Sequence, residues 1–499
     1  MAVVERPFPP GAYGVVVVGS GPGGLQAAYD LQRRGIGHAV LSADEAPGGM
    51  FRTLPIFERL ISWTKPEAPY SHGSREYELY DHNSLVADEE RCQACLPSLM
   101  DRTYDVPSRA EMEAALARFA ERADLRVRYD CRWEATRTDG DGFVLETTDG
   151  EYRCRAVVFA VGVTTPWTAP IPGLEHAAHY VDVQDAAEYD GRSVFIVGKR
   201  NSAFEIANSL LPWAKRIVLA SPRAIRTDVL GHSPLRTRYL QPLDEHVRGG
   251  FGTSIVDASI ERVERKSDGG FHVHARGTSW EGSLTFDCDD LIAATGFRAP
   301  LQDLVQLGVA TVSEGRVPAQ TAFWESVSVP GIYFAGNATL GSPGLRKQGL
   351  SSNSGSVNGF RYNARVLIRH IAEKHFGIDP PRPLVDPDQL VPRLLRELAS
   401  APELWIQKGY LCRIVNRAMD GLRDDGILPL QVFVDEPGPD ACAIAVEMAA
   451  DGTIYPAVYV RLRNRVAEHP LPPHPLHDYE SEEHRRALSS LVEPLLGSR

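Results

Sequence analysis

The chain has 499 residues, 43% of them hydrophobic and 24% charged, which is a globular composition long enough for about three domains and unlike that of a disordered chain. With 53 Lys and Arg against 65 Asp and Glu, the net charge of −12 disfavours nucleic acid as a partner. No apolar run approaches the roughly 20 residues that cross a bilayer, and the N-terminus lacks the basic and apolar regions of a secretion signal, so we expect a cytoplasmic protein without a membrane partner.

The first predicted elements form a βαβ unit around a glycine-rich turn. Residues 14–18 predict a buried parallel strand, residues 25–34 a helix, and residues 38–41 a second strand. The turn matches GxGxxG, whose glycines allow a tight turn, the close approach of a pyrophosphate and close helix packing. We assign to cofactor binding Gly19, Ser20, Gly21, Pro22, Gly23 and Gly24.

The second strand ends without the acidic residue that usually binds the ribose of a dinucleotide. Ser42 stands at that position and offers a hydrogen bond without a charge, whereas Asp44 or Glu45 could reach back to the ribose. The Pro-Gly-Gly-Met turn that follows exposes its backbone, so Gly49 and Met50 join the predicted cofactor site.

The seven cysteines are scattered, which argues against a disulfide framework. Cys92 and Cys95 form a CxxC pair, which can be a redox dithiol or half of a zinc site, but no second pair completes a metal site. The favoured interpretation is two unrelated cysteines in a polar loop, and we predict no metal.

A second nucleotide turn follows the predicted strand 193–197 and leads into a helix that extends to residue 211. Its pattern is GxRxxA, so an arginine replaces the middle glycine. The next strand, 216–219, ends in a hydroxyl residue and arginines, which favours the ribose phosphate of NADPH over NADH; arginines on a surface loop are the alternative. The assigned residues are Gly198, Arg200, Asn201, Ser202, Ser221, Arg223 and Arg226.

Residues 160–162 and 294–298 look like the points at which the chain leaves and re-enters the first domain. We therefore predict an α/β fold with two Rossmann-like nucleotide-binding domains, the second inserted in the first, plus a smaller C-terminal α+β module. The predicted divisions are 1–165 with 290–375 for the first nucleotide-binding domain, 166–289 for the inserted one, and 376–499 for the module.

Within the re-entered part, residues 331–337 predict a strand ending at Gly336 and Asn337, and residues 357–371 predict a helix. The C-terminal module begins with a Pro-rich linker. It is expected to contain a helix at 389–399, a strand at 431–434 and a last helix after residue 481. The sequence leaves open whether this module caps the active site or forms the interface of a homodimer.

The strings GSGPGG, VGKRNSAFEIA, ATGFRAP and FAGNAT together resemble the two-dinucleotide-binding-domain flavoproteins, a superfamily that includes flavin-containing monooxygenases and pyridine-nucleotide oxidoreductases. The resemblance implies FAD at the first turn and at Gly336 and Asn337, and NADPH at the inserted turn. Further segments are similar to the group of the endoplasmic-reticulum FAD-dependent oxidoreductase and its bacterial biosynthetic relatives; they are 60–65, 81–85, 200–204, 359–362 and 404–410.

Departures from better-known branches narrow the expected chemistry. Disulfide reductases of the superfamily place a cysteine pair against the flavin, yet residues 41–91 and 155–287 contain no cysteine. Residues 180–185 lack the histidine of the Baeyer–Villiger pattern. The resemblance then implies a monooxygenase that takes hydride from NADPH and activates dioxygen as a hydroperoxyflavin. Its small-molecule substrate would carry a nucleophile, such as the amine of an amino acid or of a natural-product intermediate.

Two other functions stay open at this point. One is an NADPH-dependent FAD reductase or dehydrogenase without oxygen insertion. The other is a flavin-loaded, non-enzymatic adaptor. The residues proposed for catalysis are Lys65, Asp81, Asn83, His232, Arg236, Arg346 and Lys347.

Among these candidates, Asn83 is expected to hydrogen-bond the peroxide or the flavin edge and Asp81 to pair with a substrate ammonium. Their alternative is an Asx-type turn with Ser84. The pair at 232 and 236 would face the nicotinamide or an acidic substrate. Arg346 and Lys347 would bind a carboxylate, or else lie on a solvated loop.

Overall fold

The computed structural model describes residues 6–52, 59–225, 237–250, 252–267, 269–349 and 352–496. The strands are β1 (Gly11–Val18), β2 (His38–Leu41), β3 (Trp133–Asp139), β4 (Gly142–Thr147), β5 (Gly150–Phe159), β6 (Thr165–Pro166), β7 (Ala178–His179), β8 (Ser193–Val197), β9 (Arg216–Ser221), β10 (Thr253–Arg265), β11 (Phe271–Gly277), β12 (Ser283–Cys288), β13 (Asp290–Ala293), β14 (Phe297–Arg298), β15 (Thr311–Val312), β16 (Val317–Pro318), β17 (Ile332–Phe334), β18 (Leu384–Val385), β19 (Leu411–Ala418), β20 (Gly421–Pro429), β21 (Ala441–Met448), β22 (Ile454–Leu462) and β23 (Arg465–Pro470). The α-helices are α1 (Pro22–Arg33), α2 (Arg109–Arg122), α3 (Asn201–Leu210), α4 (Asp244–Gly249), α5 (Val357–Phe376), α6 (Pro387–Ser400), α7 (Pro402–Ile406), α8 (Leu430–Asp435) and α9 (Glu482–Leu496).

The chain folds into two compact units whose segments alternate along the sequence. The first unit comprises residues 1–50, 62–163 and 299–499, and the second comprises 51–61 and 164–298. The C-terminal region thus belongs to the first unit. The predicted three-part division at 165, 289 and 375 stays a prediction.

The first unit contains a sheet whose parallel strands carry the first nucleotide turn. Strand β1 pairs in parallel with β2 and β5, and β5 pairs in parallel with β17, while β3 and β4 extend the sheet in antiparallel fashion. The buried valines of β1 read as a continuous apolar run because both faces of the strand are covered. As the four strands are parallel, their carboxyl ends, at residues 18, 41, 159 and 334, lie at one edge of the sheet.

The C-terminal part of the first unit forms a second, antiparallel sheet in the order β18-β20-β19-β21-β22-β23. Leucines of α6 and α9 cover one face, among them Leu394 and Leu488. Helix α8 covers other core residues through Leu430 and Phe433.

The second unit contains a seven-stranded sheet in the order β12-β11-β10-β9-β8-β13-β7. Strands β7, β13, β8, β9 and β10 run parallel, whereas β11 and β12 form an antiparallel extension. Both nucleotide turns therefore follow parallel strands, and the predicted α/β class with two Rossmann-like sheets is confirmed.

One predicted element is wrong. The run at 431–434 was expected to be a strand, but it lies in helix α8. Pro429 ends β20 and caps the helix, and Leu430 and Phe433 are three residues apart, so both reach the core from one helical face. A run as short as Gln-Val-Phe-Val, with three β-branched or aromatic residues, does not distinguish a short strand from one buried helical turn.

Candidate active site

The turn between β1 and α1 leaves room only for glycine at two of its positions. Gly19 has a φ of +114°, and a Cβ there would lie 2.5 Å from the carbonyl oxygen of Ala160. A Cβ at Gly24 would lie 2.0 Å from the carbonyl oxygen of Gly19. Helix α1 begins with Pro22 and has no acidic residue in its first turn, so its N-terminus is suited to an anion.

Two further glycine turns close around the first one. A Cβ at Gly23 would lie 2.5 Å from both Cα and N of Gly336, the residue that follows the strand ending at 334. Gly49, with a φ of +55°, would bring a Cβ to 3.2 Å from the Cα of Gly21. The backbones of three chain segments thus approach one another closely at glycines. Side chains at these positions would fill the cradle-shaped space that the glycines leave open. We call this cradle, formed by residues 19–24, 48–49 and 335–337, the glycine cradle; it fits the diphosphate of a dinucleotide.

The residues expected at the ribose join one hydrogen-bonded group beside the cradle. The Ser20 hydroxyl donates to Oγ of Ser42 at 2.8 Å, and the backbone N of Asp44 donates to the same oxygen at 3.2 Å. Ser20 and Ser42 are buried, whereas Asp44 is half-buried. Asp44 is thus the carboxylate held in this group, whereas the alternative, Glu45, is exposed. Asn337 within the cradle and Met50 directly after its second segment are also half-buried.

Asp81 and Asn83 form the turn that the sequence offered as their alternative. Asp81 Oδ1 accepts hydrogen bonds from the backbone N of Asn83 at 3.1 Å and of Ser84 at 3.0 Å, and from the Thr64 hydroxyl at 2.9 Å. The Asn83 amide donates to the carbonyl oxygen of Ser62 and to Thr64 Oγ1, both at 3.0 Å. Both amide protons are thereby used within the turn. The catalytic roles of Asp81 and Asn83, and of the exposed Lys65, stay predictions.

Sequence reasoning missed the buried arginine that supports this turn. Arg361, on α5, is 1% exposed and donates through one terminal nitrogen to the carbonyl oxygens of Asp81 at 2.8 Å and Ser84 at 2.7 Å. Its other terminal nitrogen donates to the carbonyl of Glu78 and to the Tyr362 hydroxyl. The string GFRY at 359–362 contained the arginine, but no local pattern indicates that its partners lie at 78–84.

Lys347 is engaged by the chain's own carboxylates, which differs from its expected role with a substrate. Its Nζ lies 3.1 Å from Glu447 Oε1 and also pairs with Glu468. Burial alone would lower the pKa of Lys347, but these hydrogen bonds and charges raise it above its ordinary value. The neighbouring Arg346 is exposed.

In the second unit, the turn after β8 also requires glycine. Gly198 has a φ of +146°, and a Cβ there would lie 2.6 Å from the carbonyl oxygen of Ala294. Arg200 and Arg223 are exposed, and Ser221 ends β9. Asn201 and Ser202 open helix α3, which has no acidic residue in its first turn.

A buried ion pair lies beside this second turn. The Lys199 side chain is 2% exposed and pairs with Asp257, which is opposite Ser221 in the register of β9 and β10. The hydrogen bond from Lys199 holds the pKa of Asp257 below its ordinary value. The lysine thus neutralises the carboxylate next to Ser221, which favours a phosphate group there. Arg226, His232 and Arg236 lie outside the described residues.

All seven cysteines are buried and unpaired. Cys92 and Cys95 are 0% and 1% exposed, and burial raises the pKa of Cys95 to about 11. Such thiols are protonated at neutral pH and shielded from exchange partners. Among the described residues, no three His, Cys, Asp or Glu side chains are grouped as a metal site requires. Nor does any helix in the described ranges have the length and apolarity to cross a bilayer.

Comparison with known families identifies the fold just described. The profile of the pyridine nucleotide-disulphide oxidoreductase family matches residues 16–336, from β1 to the glycine after β17. The chain belongs to this family. The matched range contains both nucleotide turns and ends at the glycine that meets Gly23. It leaves out the antiparallel C-terminal sheet.

Three individual proteins are similar to this chain in sequence or in fold. The chain is 27% identical over 459 residues to FAD-dependent oxidoreductase domain-containing protein 2 of Mus musculus, which spans 83% of this chain but only 65% of that protein, less than two thirds of its length. It is 27% identical over 336 residues to a ferredoxin–NADP reductase of Ralstonia pickettii, covering 65% of this chain and 80% of the reductase. A flavin-containing monooxygenase from Stenotrophomonas maltophilia has the same fold, with a TM-score of 0.54, 23% identity, and coverage of 72% of this chain and 98% of its own.

The family membership and the two sequence relatives support a flavin-dependent oxidoreductase. They also support FAD and NADPH, the two cofactors that the sequence predicts.

Proposed function

We propose that this protein is an NADPH-dependent flavin monooxygenase that hydroxylates a nucleophilic small molecule, such as the amine of an amino acid or of a natural-product intermediate. The observation that carries the proposal is the burial of every cysteine in a chain whose glycine cradle fits FAD. A disulfide reductase of this family would need an accessible dithiol beside the flavin, and Cys92 and Cys95 lack the thiolate character for that role.

In this proposal FAD binds in the first unit. The glycines of the cradle would hold its diphosphate against the N-terminus of α1, and Asp44 would hydrogen-bond the ribose. When bound, FAD supplies the chemistry that side chains lack, because it accepts hydride from NADPH and then reacts with dioxygen. The chain's own contribution is to bind, to orient and to keep water from the reacting atoms.

NADPH is proposed to bind in the second unit. Arg200 and Arg223 would contact the ribose phosphate, with Ser221 as a hydrogen-bond partner. The pairing of Asp257 with Lys199 supports NADPH over NADH, since a free carboxylate beside Ser221 would repel the phosphate.

A second function, an NADPH-dependent reductase without oxygen insertion, is favoured by the identity with the ferredoxin–NADP reductase. Both functions need hydride transfer from NADPH to FAD. They differ only in what happens to the electrons afterwards, so one experiment separates them.

The experiment measures NADPH oxidation by the purified holoprotein with a panel of amines, amino acids and thiols under ¹⁸O₂, together with peroxide release. A monooxygenase incorporates one ¹⁸O atom into a product for each NADPH consumed. Peroxide as the only product with every compound, together with fast reduction of an artificial one-electron acceptor, would support the reductase instead.

Two variants sharpen this experiment. Cys92→Ala/Cys95→Ala should retain NADPH turnover and ¹⁸O incorporation, whereas an enzyme that passes electrons through this dithiol would lose NADPH turnover. Arg223→Ala should raise KM for NADPH by about tenfold and leave KM for NADH unchanged, because one charge-assisted contact to the phosphate is removed.

A further inference from the structure

A chain of buried side chains connects the residue after α7 with the turn after β17. Gln407 Nε2 donates to Asn363 Oδ1 at 2.7 Å, Asn363 Nδ2 donates to Thr339 Oγ1 at 3.3 Å, and the Thr339 hydroxyl donates to the carbonyl oxygen of Gly336 at 2.7 Å. The side chains of Gln407, Asn363 and Thr339 are at most 1% exposed. In such surroundings an unmade hydrogen bond is costly, so each link constrains the next.

The available donors and acceptors allow only one direction of donation along this series of hydrogen bonds, from Gln407 towards Gly336. Gln407 Oε1 accepts from the backbone N of Asn353 at 2.9 Å, so the amide group of Gln407 must face Asn363. Asn363 then presents its oxygen to Gln407 and its amide group to Thr339 and to Ser354 Oγ. The Thr339 hydroxyl accepts from Asn363. Its single proton has two acceptors in reach, the carbonyl oxygens of Gly336 at 2.7 Å and of Ser354 at 3.3 Å, and the shorter distance directs it at Gly336.

The end of the chain is part of the glycine cradle. Gly336 has a φ of +68° and touches Gly23 backbone to backbone, so a shift of its carbonyl moves the wall of the cradle. Further contacts hold the same loop, because Tyr410 donates to the carbonyl oxygen of Ser342 at 3.1 Å and accepts from Trp324 Nε1 at 3.0 Å.

We propose that Gln407 is a positioning residue for FAD: acting through Asn363 and Thr339, it holds the Gly336 turn in the conformation that receives the cofactor. The inference rests on FAD binding at the glycine cradle but not on oxygen insertion. The inference assigns a role to the C-terminal region that differs from a cap of the active site and from a dimer interface. Gln407 would act through hydrogen bonds within the first unit.

The test compares FAD dissociation constants and urea unfolding midpoints of full-length holoprotein variants. Gln407→Leu removes the side-chain hydrogen bonds of Gln407 to Asn353, Asn363 and Ser354 at nearly constant volume and should weaken FAD binding by about tenfold. Thr339→Val should weaken it to a similar extent, and Thr339→Ser, which keeps the hydroxyl, should bind like the parent. If the two sites act in one chain, the double variant Gln407→Leu/Thr339→Val binds no more weakly than the weaker single variant.

Trp405→Phe is the matched control. It removes one hydrogen bond from the adjacent helix α7, the one from Nε1 to the carbonyl oxygen of Leu398, which has no link to Asn363. It should lower the unfolding midpoint about as much as Gln407→Leu does, with FAD affinity within about twofold of the parent.

Gln407→Glu adds a readout in pH. Only the protonated carboxyl can donate to Asn363 Oδ1, so FAD affinity should fall as pH rises through the pKa of the new carboxyl, while the parent shows no such step. Parent-like FAD affinity in both Gln407→Leu and Thr339→Val, or independent effects that multiply in the double variant, would overturn the proposal. Should Gln407→Leu fail to fold, Gln407→Glu decides it: the pH step in FAD affinity supports the proposal, and FAD affinity that is like the parent's at every pH overturns it.

Discussion

At the scale of single residues, the shape of the glycine cradle depends on positions where only glycine leaves enough room for the neighbouring backbone. Gly23→Ala would place a Cβ 2.5 Å from backbone atoms of Gly336, which cannot rotate away as a side chain can. We expect the variant to lose about 1–3 kcal/mol of stability and to bind FAD at least about tenfold more weakly. Flavin fluorescence released on dilution and the urea midpoint measure the two effects.

Gly37→Ala is the control for this substitution, because a Cβ at Gly37 meets nothing within 4 Å. It should leave both quantities unchanged. Equal FAD affinity in the Gly23 and Gly37 variants would mean that FAD does not bind at the cradle.

The same scale shows which site residues a sequence can reveal. The glycines at 19, 24 and 198 were predictable because the steric demand is local: a positive φ or a helix packed on its own strand. The partners of Lys347 were not, since Glu447 and Glu468 are brought to it by pairing within a distant sheet. Asp81 shows an intermediate case, because its Asx turn is local but the arginine beneath it comes from α5.

At the scale of elements, strands followed by nucleotide turns were predicted closely. The bounds of β2 and β8 agree with the apolar runs at 38–41 and 193–197, as both strands are buried on two faces. Helix α5 extends beyond the predicted 371 to Phe376 and ends at Gly377 in the left-handed region. The short run at 431–434 was predicted as a strand but lies in helix α8, because burial of the helical face against the core decided its conformation.

Helix α5 also carries a pH-dependent contribution to stability. The ring of His370 stacks on Phe323 with centroids 4.1 Å apart, and burial together with the charge of Lys374 lowers its pKa to about 4, against the opposing charge of Glu325. The unfolded chain binds a proton near pH 6.5 whereas the folded helix does not, so stability falls as pH drops from about 6.5 towards 4. His375 is shifted in the same direction.

We expect the parent to lose about 1–2 kcal/mol more than His370→Phe between pH 7.5 and pH 5, allowing for the partial exposure of the ring. Phenylalanine keeps the stack on Phe323 and removes the titration. Urea midpoints at the two pH values measure the difference, and parallel losses in both proteins would contradict the assignment to His370.

At the scale of the whole molecule, the order of segments was predictable and the C-terminal arrangement was not. The nucleotide turns and the strand ends at 160 and 294 place the second parallel sheet between two parts of the first along the sequence. No sequence pattern indicated that residues 51–61 belong to the second unit. The C-terminal sheet depends on antiparallel pairings such as Cys442 with Val460, which leave no local motif. The hydrogen bond from Gln407 to Asn363, which connects the C-terminal region with helix α5 within the first unit, was likewise invisible in the sequence.

The assignment of one cofactor to each unit makes a prediction for hydrogen exchange along the whole chain. Saturating NADP⁺ added to the holoprotein should slow exchange by about tenfold or more at 198–203 and 221–223, since binding shifts local opening equilibria there. Removal of FAD should speed exchange at 19–24 and 335–341 and, if Gln407 holds the turn, at 402–410. Arg223→Ala should need about tenfold more NADP⁺ for the same protection in the second unit and should keep the FAD effect in the first. Protection of 19–24 by NADP⁺ but not by FAD would reverse the assignment, because the glycine cradle would then hold the nicotinamide cofactor.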